Sequence, residues 1–300
     1  ETLQAILDDS KAVVVLTCAQ FGEKIQSGTG QMWELDWMKL WEQNGGVPTT
    51  PPVLATEAAG YLLYTVGSGP LRGVGIGNGR LVRFANAVVA EFGLGDQDRI
   101  VQAGPPGTEA SIVETFIALA VGAALVIPQG ASTADSSFAT VLGRENISFA
   151  MLPPAILSAL SPGAVPELKV LAIGCEAEGR EFIDAWSKSR VFYNSYGPLE
   201  AEIITRPAQH DSTPALWSSM GEPRHATVYV LDRCANVAPI SVPGEVFVGG
   251  EGVAEGYLNQ PEVTAERFVP DPFSKTPGAR MFRTGDIGRI RRNGGVDYVR

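Results

Sequence analysis

Apolar positions along the chain follow two rhythms. Short unbroken runs, "KAVVVLT", "YLLYTV", "RIVQAG", "ALVIP", "ISFAML", "LKVLAIG" and "RVFYNSY", predict strands buried on both faces. Between them apolar residues recur at helical spacing. Leu81, Phe84, Ala85, Val88 and Phe92 predict an amphipathic helix over "RLVRFANAVVAEF". "ASIVETFIALAVG" predicts an apolar helix closed by Gly122, and "STADSSFATVLGRE" a helix opened by cap-type residues. Pro153 and Pro154 open the short helix "PAILSAL", and "GREFIDAWSKS" supplies another. The glycine-rich "YTVGSGPLRGVGIGNG" reads as a turn between a strand and the helix beginning near Arg80. Trp33, Trp37 and Trp41, four residues apart, read as a stripe on a packed helix.

This strand–helix alternation predicts an α/β fold of parallel sheets flanked by helices on both faces. Right-handed crossovers put the loops after the strands along one edge, where ligands bind in such folds. The glycine-rich turn, "GCEAEG" and "NSYGPLE" all fall there. Beyond Pro207 the rhythm changes. "ATVYVLD", "GEVFVGG" and "IGRIRRNGGVDYV" are separated by turns without helices, predicting a mainly antiparallel β subdomain. The expected organisation is an α/β core over 1–210 and a β-rich subdomain over 211–300, with a soft boundary at Asp211 to Trp217.

Composition narrows the function. A formal charge of -10 argues against nucleic acid or an anionic membrane as the main partner. Cys18, Cys175 and Cys234 are odd in number, far apart and without metal-site spacing, which reads as reduced thiols in a cytoplasmic protein. The only histidines, His210 and His225, have no matching ligand pattern. No run of eighteen apolar residues appears. The N-terminus shows neither a secretory signal nor an initiator methionine, as expected of a piece of a longer chain.

The glycine-rich turn can offer N–H groups to phosphate oxygens, but it has neither GxxxxGK[ST] nor dinucleotide spacing. In "NSYGPLE", Tyr196 can stack on a base and Glu200 can hold Mg²⁺. In "FRTGD", Asp286 can accept both hydroxyls of a ribose. Taken in this order, the motifs are more specific than any one of them. "GEVFVGGEGVAEGYLNQPEVTAERFVPDPF" followed by "MFRTGDIGRI", with "NSYGPLE" and "ALWSSMGEPRHATVYVLD" before them, resembles the adenylation domain of nonribosomal peptide synthetases. That domain lies within the adenylate-forming superfamily. The resemblance implies ATP and Mg²⁺ as reactants, an acyl adenylate as product and a carrier-protein thiol as acceptor. It further implies neighbouring condensation and carrier-protein domains. Mapped onto this sequence, it implies nucleotide contacts from Ser68, Arg72, Gly174, Asn194, Tyr196, Glu200, Asp286 and Tyr298, with Glu200 at the metal. It implies an acyl pocket of Glu109, Ala110, Val113, Met151, Leu171, Ile173, Ser195, Ile203 and Ile204.

The sequence also departs from that family. The pattern YTSG-[ST]-TG-x-PKG reads here Y-T-V-G-S-G-P-L-R-G, one residue shorter, with Val66 for serine and Arg72 for lysine. Each lost charge-assisted bond costs roughly 1.5–3 kcal/mol, and two cost on the order of a hundredfold. Leu199 replaces a threonine, Glu109 an aspartate, and the chain stops at Arg300 before the small lid with its catalytic lysine. The leading expectation is therefore a degenerate or truncated adenylation domain, non-catalytic and structural or docking in role. The alternative is an active adenylating core completed by its lid. A third reading is a regulatory site for AMP or an adenylate. The pocket is either a site for a medium or large apolar acyl group or a disused one filled by core residues.

Overall fold

A computed structural model describes residues 2–22, 30–35, 59–65, 70–128, 136–174, 180–201, 203–206, 219–224, 226–250 and 252–299. At the N-terminus, helix α1 (Thr2–Ser10) leads into β1 (Val14–Thr17), the short α2 (Ala19–Gly22) and β2 (Gln31–Glu34). β1 and β2 pair in parallel, and Trp33 lies on β2, so it belongs to a strand and not to a helical stripe. Trp37 and Trp41 lie outside the described residues. β1 was expected to be buried; instead Val13, Leu16 and Trp33 are exposed, because this pair stands apart from the main sheet.

The glycine-rich stretch differs from its expected form. β3 (Ala59–Thr65) turns back into a second strand, β4 (Arg72–Gly77), paired antiparallel with Thr65 opposite Arg72. Helix α3 (Asn78–Phe92) follows directly. The turn therefore joins two strands, and its tip, 66–69, lies outside the described residues. Glycine has poor strand propensity, which hid β4 in "RGVGIG". The backbone needs it at Gly73, where a Cβ would stand 2.9 Å from the Tyr64 ring. Val74 and Ile76 alternate with the glycines and are fully buried.

Next come β5 (Arg99–Val101), α4 (Glu109–Val121), β6 (Ala124–Val126), α5 (Ser136–Arg144) and β7 (Phe149–Met151). α6 (Pro154–Ser158), β8 (Val170–Gly174), α7 (Arg180–Ser187) and β9 (Val191–Tyr196) complete this half. The strands run in parallel in the order β6-β5-β7-β8-β9. Alternate residues feed two cores. Ile100, Phe149, Val170 and Ala172 pack with Val88 of α3 and with Val113 and Ile117 of α4. Val101, Ala150, Leu171 and Ile173 pack on the other face with Phe138, Leu142, Ile156 and Trp186. Both helices of the first face end in left-handed glycines, Gly93 and Gly122.

β10 (Ile203–Arg206) returns antiparallel to β9, and from there the sheet changes character. β11 (Ser219–Arg224), β12 (Thr227–Leu231), β13 (Gly244–Gly249), helix α8 (Pro261–Arg267), β14 (Phe268–Pro270), β15 (Arg280–Ile290) and β16 (Val296–Tyr298) follow. The order continues β9-β10-β11-β16-β15-β13-β12, all antiparallel, with β14 on β15. The expected class, a helix-flanked parallel sheet plus a C-terminal antiparallel subdomain, is thus what the structure shows. The two parts form one continuous sheet among the described residues, and the expected boundary at 211–217 lies outside them. No helix among the described residues is long and apolar enough to cross a membrane. Cys18 and Cys234 are free thiols; Cys175, His210 and His225 lie outside the described residues.

Strand order reverses between β5 and β7, where such sheets open a crevice at their carboxyl ends. There Glu114, fully buried on α4, accepts the N–H groups of Ala103 and Gly104 at 3.1 Å each. Burial pushes its carboxyl up from 4.5 to about 8, against the opposing pull of those two N–H groups. The folded chain therefore keeps a proton between about pH 4.5 and 8 that the unfolded chain has shed. Stability falls as pH rises through this window and levels above it. Glu114→Gln is expected to flatten that slope in denaturation midpoints measured from about pH 5 to 8.5. An unchanged slope would assign the proton elsewhere.

Candidate functional site

The carboxyl end of β9 runs into the turn Gly197-Pro198-Leu199-Glu200, closed by the Ala201 N–H on the Pro198 carbonyl at 2.8 Å. Residues 253–258, from "GVAEGYL", lie between this turn and β4. On one side the Ala254 N–H donates to the Glu200 carbonyl at 2.8 Å, and Val253 bridges Ala201. On the other, Leu258 N–H donates to Gly73 O at 2.7 Å, while Gly75 and Glu255–Gly256 exchange longer bonds of 3.4 Å. Tyr257 crosses this junction. Its hydroxyl donates to Glu200 Oε1 at 2.7 Å, and the Arg72 guanidinium lies 5.2 Å from its ring centre. Burial first, then the Glu200 hydrogen bond and charge, raise the phenol above its ordinary value. Gly256 has φ +140°, and a Cβ there would meet Thr264 Cγ2 at 2.5 Å. The glycine of "GY" thus lets Thr264 Oγ1 accept the Tyr257 N–H at 2.9 Å.

Tyr196 is the last residue of β9, and its hydroxyl donates to Asp286 Oδ2. Asp286 comes from β15, after the left-handed Gly285, and Thr284 Oγ1 accepts its N–H at 3.0 Å. The Thr284 hydroxyl in turn donates to Val246 O at 2.8 Å, so "RTGD" is fixed to its neighbour strand. Tyr298, exposed, pairs with Gly288, two residues beyond Asp286. Gly174 pairs with Ser195, next to Tyr196, and a Cβ built on it meets no described atom within 4 Å. The structure therefore brings Gly174, Tyr196 and Asp286 to one end of the sheet, with Tyr298 alongside. Ser68 lies outside the described residues, as do the side chains of Asn194, Ser195, Ile203 and Ile204; their strands place Asn194 and Ser195 on β9 opposite β10.

Glu200 is 7 % exposed, and one of its oxygens is occupied by Tyr257. No group of three or more potential metal ligands occurs among the described residues. A single carboxylate still fits Mg²⁺, which dehydrates reluctantly and binds through one or two carboxylates plus phosphate oxygens and water.

The acyl-pocket residues do not converge on one surface. Glu109 and Ala110 open α4 behind the Thr108 cap. Val113 and Met151 pack on the α3–α4 side of the sheet. Leu171 and Ile173, 0 % and 1 % exposed, belong to the core on the opposite side. The register is the reason: Met151 lies opposite Ala172, so Leu171 and Ile173, one position off on β8, face the other way.

Sequence reasoning passed over two residues here. Tyr257 was part of a motif without a role, although a glycine–tyrosine pair next to a conformationally strained turn was a usable signal. Arg80 looked like an ordinary helix residue, yet it is 6 % exposed, and its Nη2 approaches the Leu199 carbonyl at 3.5 Å.

Comparison with known proteins identifies the family. The profile described as "AMP-binding enzyme" matches residues 1–258. A component of the linear gramicidin synthase of Brevibacillus parabrevis is 36% identical over 308 residues, covering 100% of this chain and 6% of that protein. Novobiocin biosynthesis protein H of Streptomyces niveus is 36% identical over 250 residues, 82% of this chain and 41% of that one. The chain thus spans less than half of either relative. A structure of the nonribosomal peptide synthetase FmoA3 (S1046A), in an AMPPNP-bound form, superimposes with a TM-score of 0.87 at 23% identity, over 100% of this chain and 33% of that one.

Tyr257→Phe removes the hydroxyl that donates to the buried Glu200. It is expected to cost about 1–3 kcal/mol, read as a lower urea midpoint with an unchanged slope. Phe268→Tyr at a neighbouring buried ring, which leaves the bond in place, serves as a reference for local packing damage.

Proposed function

The chain belongs to the AMP-binding enzyme family, as an adenylation core of the nonribosomal peptide synthetase type, and from that premise we propose that it binds ATP and activates a carboxylic acid as its acyl adenylate. A carboxylate oxygen of the acid attacks the α-phosphorus, an acyl–phosphate bond forms, and pyrophosphate leaves. Tyr196 stacks on the adenine, with Gly174 leaving room for the base, and Asp286 accepts the ribose hydroxyls beside Tyr298. Glu200 helps to hold Mg²⁺, which would draw charge from the phosphate oxygens. By the family resemblance Arg72 and Ser68 would contact the outer phosphates, and Asn194 the nucleotide. Glu109 meets the amino group of the acid where it has one. The acyl group then passes to a carrier-protein thiol, within a cytoplasmic synthetase that also holds condensation and carrier domains.

The observation supporting this reading most directly is the Tyr196–Asp286 hydrogen bond beside the open edge at Gly174. A phenol from the parallel half and a carboxylate from the antiparallel half meet where adenosine would lie. A second reading, a non-catalytic element that docks within a synthetase, draws on Leu199, which packs its apolar side chain against the core in place of a hydroxyl.

Calorimetry with AMP and thermal shift with ATP–Mg²⁺ test the site. Asp286→Ala is expected to weaken AMP about 10- to 100-fold, the loss of one or two hydrogen bonds to a charged acceptor. No binding by the wild-type chain would overturn the nucleotide assignment. Binding without acid-dependent pyrophosphate exchange, with a lid supplied from a relative, would favour the docking reading.

A further inference from the structure

Arg80 stands on the first turn of α3, immediately beyond β4, and only 6 % of it is exposed. Its hydrogen bonding does not match that burial. Nη2 reaches the Leu199 carbonyl only at 3.5 Å, at the long limit for an N–H···O bond. Nε and Nη1 are buried and have no hydrogen-bond partner among the described residues. Glu200, next to Leu199, is instead bonded to Tyr257. A guanidinium does not shed its proton in proteins, so it cannot escape the cost of burial by neutralising. Its desolvation is then offset by no ion pair among the described residues and by one long hydrogen bond only.

The helix end compounds this. Gly77 at the N-cap position supplies no side-chain cap, and the positive end of the helix dipole adds to the charge of Arg80. The uncapped helix end thus carries a buried guanidinium with two nitrogens lacking a hydrogen-bond partner among the described residues, and its third nitrogen reaches the turn that carries Tyr196 at one end and Glu200 at the other. An anion there would complete both. An anion tethered to an adenosine held by Tyr196 and Asp286 would be delivered to this turn.

Resting on the nucleotide reading above, we propose that Arg80 is the cation that receives the α-phosphate of the bound adenosine nucleotide, at the turn where Leu199 offers no hydroxyl. The ligand class is an adenosine 5′-phosphate: AMP, the α-phosphate of ATP, or an acyl adenylate. Arg80 grips the group that all three share, whereas Arg72 on β4 lies at the foot of the glycine-rich turn, against the ring of Tyr257.

The test compares adenosine with AMP on the 300-residue chain, by calorimetry, for the wild type, Arg80→Met and Arg80→Lys. Methionine keeps most of the volume and removes the charge. Wild type is expected to prefer AMP over adenosine. Arg80→Met is expected to bind adenosine as wild type does and to lose about 10- to 100-fold in AMP affinity, while Arg80→Lys retains part of the preference. The unliganded thermal midpoint of Arg80→Met should not fall, because an uncompensated buried charge has been removed. A purely structural arginine gives a different pattern: a lowered midpoint, with adenosine and AMP weakened equally. That result, or an Arg80→Met variant that keeps the full AMP preference, overturns the assignment while leaving the nucleotide site in place. If wild type binds neither adenosine nor AMP, the nucleotide reading fails and the role of Arg80 falls with it.

Discussion

Glu200 is an almost dry carboxylate, and much of the molecule is arranged around keeping it so. Without a partner, a buried carboxylate would be strongly destabilising. Tyr257 supplies the partner, and Tyr257 sits on a strip whose backbone is already committed on both sides, to β4 and to the turn after β9. One hydrogen bond therefore depends on three segments that are far apart in sequence. The dependence runs the other way as well. Among the described residues the β3–β4 pair is only two strands wide, and such ribbons are marginal alone. Its Val74 and Ile76 find their core among Val246, Val248, Phe282 and Tyr257, on the antiparallel side of the molecule. The α1 end is tied to the same junction, since Asp9 accepts from Tyr64 at 2.8 Å and from Asn259 at 3.0 Å.

Sheet continuity explains why this junction faces a usable edge. β9 is the last parallel strand and is also paired with the first antiparallel one. Its carboxyl end is thus the place where a residue from the α/β half, Tyr196, can meet a residue from the β-rich half, Asp286. The parallel half contributes crossover loops and the crevice at its switch point. The antiparallel half contributes turns whose positive-φ glycines, such as Gly285, set a carboxylate at a fixed angle. Neither half alone presents both groups.

The sequence was legible where one periodicity dominated. β5 to β9 and their helices were readable because short apolar runs alternate with helical segments along the chain, even though β6, at the end of the sheet, has no buried residue. Gly93 and Gly122 close α3 and α4 for a local reason that any reader of the chain could state. Legibility failed where tertiary contact overrode local preference. β4 is a strand because Val74 and Ile76 are buried and Gly73 must lie against Tyr64, and glycine propensity says the opposite. Trp33 kept a helical spacing with Trp37 and Trp41 yet sits on a strand, because spacing alone does not distinguish a helix from coincidence over three residues. For the site, motif order was enough to bring Gly174, Tyr196, Glu200 and Asp286 to attention. It could not separate Leu171 and Ile173 from Met151, because facing depends on which strand neighbours which. Arg80 was invisible for a related reason: whether an arginine is solvated or buried is decided here by a turn that is distant in sequence.

The placement of positive charge follows from these constraints. The chain carries a net charge of -10, so a polyanion is not drawn to it by its overall field. Attraction must be local and close-range. Two arginines flank the Glu200–Tyr257 junction, Arg72 against the ring and Arg80 against the neighbouring turn. Both are arginines, and the choice has a physical basis. A guanidinium is more weakly hydrated than an ammonium, stacks on an aromatic face, and holds its donors in a fixed fork. It tolerates burial against the scaffold better than lysine, which would lower its pKa and lose its charge. A glycine-rich turn with fewer hydroxyls offers fewer donors of its own, and donors built on helix α3 and strand β4 are held in place by packing before any ligand arrives. Preorganisation of that kind lowers the ordering cost of binding, and under the proposed assignment it would shift recognition of the phosphate from a loop to the folded core.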